Sequence, residues 1–178
     1  MHRLFVGLPV PEPVADVLVD LMEDVPDARW QSVEQLHLTL CFIGEVDRRL
    51  GNAVAEGLAD VRGGALDLRL GPLGLFAHRG RVHTLFAGVG PKAGLALLSA
   101  KVTQAVRAAQ AMPEARAFVP HVTIARFGGR GPAEAAMAPV LARAVPAVAW
   151  RADELVLYES FMGSGGSHYE AVARWPLH

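Results

Sequence analysis

The sequence predicts an α+β fold with two β-rich lobes, and three observations support this class. Short runs alternate apolar and polar residues, as residues 66–70 do, which is typical of strands with one solvated face. Longer segments repeat apolar residues at helical spacing, as residues 92–110 do. A phrase of His, an apolar residue, Thr and an apolar residue occurs once in each half of the chain, at 37–40 and 121–124. We therefore expect residues 1–178 to form a single domain in which two similar lobes face each other.

Strands and helices follow each other in a similar order in both halves of the chain. Apolar and alternating runs predict strands at 3–8, 36–43, 66–70, 82–89, 121–127, 149–159 and 169–175. Apolar stripes at helical spacing predict helices at 11–21, 47–61, 92–110 and 132–145. Asp47 is a good N-cap for the second helix, whereas Pro139 must kink or split the last one. Gly44 and Gly128 are expected to end the two strands that carry the repeated phrases.

The composition indicates which binding partners and which cellular compartment to expect. Hydrophobic residues make up 52% of the 178 residues and charged residues 20%, which is typical of a globular domain. The net charge of −1 provides no basic field for long duplex DNA, whereas a small anion or a nucleic-acid end needs only a local cluster. The single cysteine forms no internal disulfide, and the N-terminal apolar run is too short for a signal peptide or a membrane span. We therefore expect a cytoplasmic protein without membrane contact.

The repeated phrases place side chains that can move protons on one face of a strand. Because side chains alternate along a strand, His37 and Thr39 share one face, and so do His121 and Thr123. The apolar residues between them point to the opposite, packed face. If the two phrases meet, they form a cleft with an imidazole on each side. One protonated and one neutral imidazole can then act as general acid and general base on a phosphate, whose oxygens the threonine hydroxyls can contact.

Phe42 and Arg126 occupy equivalent places, each five residues after a phrase histidine. A guanidinium can bind a phosphate with two parallel hydrogen bonds, and an aromatic ring either stacks on a nucleobase or fills the core. An offset of five is odd, so a regular strand directs both side chains away from the histidines. Their presence in the cleft requires a bulge, a strong twist or a strand end near the following glycines. Cys41, at an even offset from Thr39, is expected on the threonine's face, as a packing residue or a nucleophile.

Other chemistries have weaker support in the sequence. His37 and His121 are too few ligands for a zinc site, and no Cys or carboxylate stands nearby at metal-binding spacing. The glycine-rich residues 163–167 contain no lysine and precede a strand, so they predict a hairpin loop rather than a phosphate-binding loop. His83 lies in a predicted strand from which it can reach the cleft. We predict neither a metal nor a cofactor.

The chain resembles the 2H phosphoesterase superfamily, which is marked by paired His-x-Thr-x phrases. Within that superfamily it is similar to the bacterial and archaeal RNA 2′,3′-cyclic phosphodiesterases, also called 2′-5′ RNA ligases. The similarity runs nearly end to end and includes residues 3–6, 36–46, 120–126, 155–160, 169–170 and 174–175. It implies a bilobal α+β fold in which two pseudo-symmetric antiparallel β-sheets line a central cleft and helices lie on the outside.

The resemblance also implies an activity and a role for each candidate residue. The implied reaction is metal-independent hydrolysis of a terminal 2′,3′-cyclic phosphate of RNA to a 2′-phosphomonoester, with 2′-5′ ligation as the reverse direction. His37 would be the general acid and His121 the general base. The residues implied to bind substrate are Thr39, Thr123, Arg126 and Phe42. RNA ends would be the only partner, and a monomer is expected.

Two other functions stay open at the level of sequence. One is a binding module for RNA ends or nucleotides without turnover, and the other is a phosphodiesterase for a small cyclic nucleotide. Two proton carriers are unnecessary for binding alone, which favours an enzyme. The size of the pocket would distinguish the two kinds of substrate.

Overall fold

Nine strands, in a computed structural model that describes residues 1–178, form one antiparallel sheet. The strands are β1 His2–Pro9, β2 Arg29–Trp30, β3 His37–Val46, β4 Leu66–His78, β5 Arg81–Gly90, β6 His121–Arg126, β7 Ala149–Ala152, β8 Glu154–Gly163 and β9 Gly166–Pro176. Their order across the sheet is β7-β4-β5-β6-β3-β1-β8-β9, and the short β2 pairs with β6.

The sheet has two halves that meet between β3 and β6. The His37 half contains β3, β1, β8 and β9, and the His121 half contains β6, β5, β4 and β7. A single residue pair, Leu38 with Val122, joins them. The predicted α+β class is confirmed, and the two expected sheets are halves of one sheet, each with four main strands, while the short β2 adds to the His121 half through β6. These halves do not follow chain order, because β8 pairs with β1 and brings the last hairpin back to the first strands.

Helices cover the packed face of the sheet. They are α1 Glu12–Asp20, α2 Arg48–Ala59, α3 Lys92–Ala108 and the short α4 Ala138–Leu141. The N-cap prediction for α2 is confirmed, because the Asp47 carboxylate accepts a hydrogen bond from the backbone N–H of Leu50 at 2.7 Å. The helix predicted at 132–145 is instead a 3₁₀ turn, Glu134–Met137, followed by α4. Pro139 lies in the first turn of α4, where its missing N–H costs no hydrogen bond. None of the four helices has both the length and the apolar character needed to cross a bilayer.

Strand β3 continues through Gly44, and the prediction that this glycine ends the strand is wrong. Gly44 has φ +86°, a conformation that a glycine adopts without steric cost. The pairing register with β1 shifts at the same place, since Leu4 faces Gly44 and Phe5 faces Phe42, which leaves Ile43 as an extra residue. The glycine therefore belongs to a bulge inside the strand rather than to its end.

A single hydrophobic core supports both halves of the sheet. One cluster of 38 buried residues includes Val6 and Leu38 from the His37 half, Leu85 and Val122 from the His121 half, and the apolar stripes of the helices. Leu38 is 1% exposed and Val122 is fully buried. Because neighbouring side chains on a strand point to opposite faces, burial of these two residues directs the flanking His and Thr side chains to the other face.

Candidate active site

The two His-x-Thr-x phrases lie side by side on β3 and β6. The strands are antiparallel and Leu38 faces Val122. This register aligns His37 with Thr123 and Thr39 with His121, so each histidine lies level with the threonine of the other phrase. All four side chains are partly exposed on the face opposite the core. The two phrases therefore lie next to each other in the structure, as predicted.

Matching bulges bring Phe42 and Arg126 to the same face as the histidines. In β3, Gly7 faces Thr39 and Val6 faces Cys41, so Leu40 is an extra residue. In β6, the register likewise leaves Ile124 as an extra residue, between Thr123 opposite Phe86 and Ala125 opposite Leu85. Each bulge begins one residue after the phrase threonine and reverses the alternation that follows. A regular strand would direct Phe42 and Arg126, five residues after the histidines, to the core face. The extra residue in each bulge turns them to the cleft instead.

The bulge also moves Cys41 away from the cleft. Cys41 is 6% exposed and belongs to the core cluster, next to the buried Leu40. Burial raises the pKa of its thiol above the ordinary value. The expectation that it shares the face of Thr39 is wrong because of the extra residue, and its packing role is the one that the structure supports.

Backbone carbonyls set the proton position on both histidines. The Nδ1–H of His37 donates to the carbonyl of Gln35 at 2.7 Å, and that of His121 donates to the carbonyl of Val119 at 2.6 Å. Because a carbonyl only accepts, Nδ1 carries the proton in each neutral ring and Nε2 is left as the site of proton exchange. The Nε2 of His37 lies 3.0 Å from Oγ1 of Thr39, whose hydroxyl can donate to it.

Aromatic side chains surround the two imidazoles. The ring of His37 lies 4.7 Å from Phe5, 5.1 Å from Tyr169 and 5.9 Å from Tyr158, measured between ring centroids. The ring of His121 lies 4.9 Å from Phe86 and 5.0 Å from Phe76. These contacts could not be predicted from the sequence, because the aromatic residues lie on neighbouring strands and the sequence does not indicate which strands pair.

Both histidines are neutral at pH 7 in the free protein. Burial lowers the pKa of His37 to about 4, and the hydrogen bond to Gln35 opposes this shift. The positive charge of Arg126 adds to the shift, as does that of His121 when its ring is protonated. Burial also lowers the pKa of His121, with Arg126 and Arg116 acting in the same direction. An anion bound between the rings would offset the cations and raise both pKa values.

Arg126 carries an uncompensated positive charge at the cleft. Its side chain is exposed and makes no hydrogen bond or ion pair with protein groups, yet its charge acts on both histidines. On the other side of the cleft, the guanidinium of Arg3 lies 5.3 Å from the ring centroid of Phe42, and Phe5 stacks parallel to that ring at 6.3 Å. The cleft thus combines cations and aromatic faces, which suits a nucleotide phosphate and its base.

The remaining histidines are arranged differently. His2 and His168 pair with Glu159 and Glu170, respectively. Nδ1 of His83 lies 3.0 Å from Oγ1 of Thr84, and its ring stacks at 6.3 Å on Phe76, which in turn contacts His121. The structure contains no group of three or more His, Cys, Asp or Glu side chains placed to hold a metal ion, so the zinc hypothesis gains no additional ligand.

Comparison with known proteins identifies the family. Residues 11–160 match the 2′-5′ RNA ligase superfamily. The chain belongs to this superfamily. It is 31% identical over 162 residues to the RNA 2′,3′-cyclic phosphodiesterase of Geobacillus stearothermophilus, which is 89% of this chain and 50% of that protein. The chain thus spans about half the length of this relative. It is also 28% identical over 181 residues to the protein of the same name from Escherichia coli K12, which is 99% of this chain and 97% of that protein.

The fold of this chain agrees with that of a solved structure. The apo structure of E. coli LigT superposes with a TM-score of 0.79 and 24% sequence identity, covering 99% of this chain and 97% of that chain. This likeness confirms the predicted fold, and the family match over residues 11–160 confirms the resemblance.

Proposed function

We propose that this chain is an RNA 2′,3′-cyclic phosphodiesterase that opens a terminal 2′,3′-cyclic phosphate and leaves a 2′-phosphomonoester. The observation that carries the proposal is the pair of imidazoles on adjacent strands, each with Nδ1–H held by a carbonyl and Nε2 left to exchange a proton. Related proteins of the superfamily bear the name of this activity. RNA ends are therefore the proposed partner, and no protein partner is required.

The proposed reaction divides two proton transfers between the histidines. Nε2 of His121 takes a proton from a water molecule, whose oxygen attacks the phosphorus. The bond between phosphorus and O3′ breaks, and Nε2–H of His37 protonates the departing oxygen. The roles follow the family resemblance, and the lowered pKa of His121 suits a base that is neutral at pH 7. His37 would gain its proton together with the anionic substrate, whose charge opposes that of Arg126.

The other cleft residues would bind the phosphate and the terminal nucleotide. Thr39 and Thr123 lie level with the opposing histidines, where their hydroxyls can donate to non-bridging phosphate oxygens. Arg126 would bind the phosphate and stabilise the charge that develops in the transition state. Phe42 would stack on the terminal base. The same groups in the same roles, with a 5′-hydroxyl in place of water as the nucleophile, would join two RNA ends through a 2′-5′ linkage and release the 3′-hydroxyl.

The decisive experiment identifies the product of one substrate. The purified protein is incubated with EDTA and an oligoribonucleotide that ends in a 2′,3′-cyclic phosphate. We expect a 2′-phosphate, whereas a 3′-phosphate would reverse the assigned leaving group. Binding without turnover would favour the binding module, and hydrolysis of only mononucleotide cyclic phosphates would favour the small-nucleotide enzyme.

Variants test the histidine roles in the same assay. H37A and H121A should each lower kcat by about 10²–10⁴, because each removes one proton carrier. H78A is the matched control, since His78 is exposed at the end of β4 and its imidazole makes no hydrogen bond. Wild-type turnover by either cleft variant would contradict the two-histidine mechanism.

A further inference from the structure

One amide side chain connects the loop that precedes β3 to the β8–β9 hairpin. A single 3₁₀ turn, Val33–Gln35, leads into the strand. The backbone carbonyl of Gln35 accepts the Nδ1–H of His37, so the position of this carbonyl determines which nitrogen of the ring carries the proton. Both ends of the Gln35 side chain are also engaged. Its Oε1 accepts from the backbone N–H of Ser32 at 2.9 Å, and its Nε2 donates to the backbone carbonyl of Ser167.

Ser167 belongs to the β8–β9 hairpin, which therefore contacts His37 by two routes. The hairpin turns at residues 164–165, and Met162 pairs with Ser167 beside this turn. Two residues further along β9, the ring of Tyr169 meets the ring of His37 edge-on at 5.1 Å. One route is thus an aromatic contact with the imidazole, and the other passes through the Gln35 amide to the carbonyl that holds Nδ1–H.

The second histidine lacks this attachment. The carbonyl that accepts from His121 belongs to Val119, whose side chain is apolar and 38% exposed. The valine side chain has no polar group, so it cannot connect this carbonyl to another strand by a hydrogen bond. The two phrases are alike in sequence and in their bulges, yet only on the His37 side does a side chain connect the accepting loop to a hairpin.

We propose that Gln35 is a positioning residue for His37. Its amide anchors the loop to the hairpin and thereby holds the carbonyl that keeps the ring in the Nδ1–H form, with Nε2 facing the substrate. Gln35 transfers no proton itself. The inference deepens the proposed function, on which its kinetic readout rests, but its effect on the ring can be observed without substrate.

The test compares Q35A and Q35E with a matched control. Glutamate keeps the size of the side chain and the acceptor for Ser32 N–H, but it cannot donate to the Ser167 carbonyl. S167A is the control, because it removes the Ser167 hydroxyl and leaves the accepting carbonyl in place. For each protein, ¹⁵N NMR of the imidazoles reports which nitrogen is protonated at pH 7. Steady-state kinetics with the cyclic-phosphate oligoribonucleotide then separates kcat from KM.

We expect the Nε2–H form of His37 to appear in both Q35A and Q35E, while His121 stays as in the wild type. The kcat should fall about tenfold with little change in KM, the size of effect typical for residues that orient a functional imidazole. S167A should match the wild type in both measurements. An unchanged His37 ring in Q35E, or an altered ring with unchanged kcat, would overturn the proposal. If even the wild type fails to hydrolyse the substrate, the proposed function fails, and the NMR result alone decides whether Gln35 anchors His37.

Discussion

At the scale of single residues, the cleft holds two histidines whose neutral forms are favoured in the free protein. His37 and His121 share one hydrogen-bond arrangement, and burial lowers the pKa of both. Arg126 adds a positive charge that disfavours protonation of either ring. A bound phosphate would reverse this balance, because it brings negative charge to the place where a proton must be supplied. The site is therefore expected to couple substrate binding to proton uptake.

The lowered pKa of His37 predicts that the folded protein loses stability in mild acid. The pKa is about 4 in the folded protein and 6.5 when the ring is unperturbed. Between these values the unfolded chain binds more protons, so the free energy of unfolding decreases as the pH falls from about 6.5 to about 4. One such proton contributes up to about 1.4 kcal/mol per pH unit.

Urea denaturation at several pH values between 7 and 4 measures this dependence. H37Q should show a flatter decline in the free energy of unfolding than the wild type, and H78Q should decline as the wild type does. An identical pH dependence in H37Q and the wild type would mean that His37 takes up its proton equally well in the folded state.

Replacement of Arg126 should separate its two effects. R126A should lower kcat/KM by about 10²–10³, the cost typical for the loss of one group that stabilises transition-state charge. It should also raise the pKa of both histidines in the free protein, because the guanidinium charge lowers both. Kinetics and NMR titration of the imidazoles measure the two effects. R130A is the matched control, since Arg130 is exposed in the following loop; if R130A matches R126A in both measurements, the assignment to the cleft is wrong.

At the scale of elements, the strands and the faces of the His-x-Thr-x phrases could be predicted because alternation is a local property. The side chains beyond each phrase could not, because the bulges at Leu40 and Ile124 depend on the register with β1 and β5. The sequence could indicate only that some irregularity was required. Gly44 is a second example, because the sequence alone does not distinguish a glycine that ends a strand from a glycine inside a bulge.

The bulge at Gly44 predicts a backbone cost for any side chain there. G44A should destabilise the protein by about 1–2 kcal/mol, because φ +86° is unfavourable for an L-residue with a Cβ. Steric contact would not contribute, since a methyl group at Gly44 would have no other atom within 4 Å. G128A has equally open surroundings without a positive φ and is the control. Thermal or urea unfolding measures both; equal stability of the two variants would contradict the assigned conformation.

At the scale of the whole molecule, the sequence predicted the fold class and the meeting of the two phrases, but not which strands pair. Leu38 with Val122 and β1 with β8 are contacts between distant segments, and residue patterns identify a strand without naming its neighbour. The aromatic rings around His37 and the anchor at Gln35 depend on those pairings, so they could not be predicted for the same reason.

The shared core predicts that the two halves of the sheet unfold together. Trp150 lies on β7 at one edge of the sheet and Trp175 on β9 at the other. In variants that retain Trp150 or Trp175 as the only tryptophan, with Trp30 also replaced, fluorescence should report the same urea midpoint as far-UV circular dichroism of the same variant. A fluorescence midpoint that departs from the circular dichroism in one variant would show that the halves unfold separately and that 1–178 is not a single cooperative unit.

The His37 half combines β1 and β3, which come early in the sequence, with β8 and β9, which come late. It can therefore be completed only late in translation. A nascent chain that has emerged from the ribosome as far as residue 126 already carries both histidines, both threonines and Arg126. It lacks β8 and β9, however, so β1 has an unpaired edge and His37 has neither Tyr158 nor Tyr169 beside it. The His37 side of the cleft is complete only when β8 and β9 have been made. The proposed activity is therefore expected only of chains that already include these two strands.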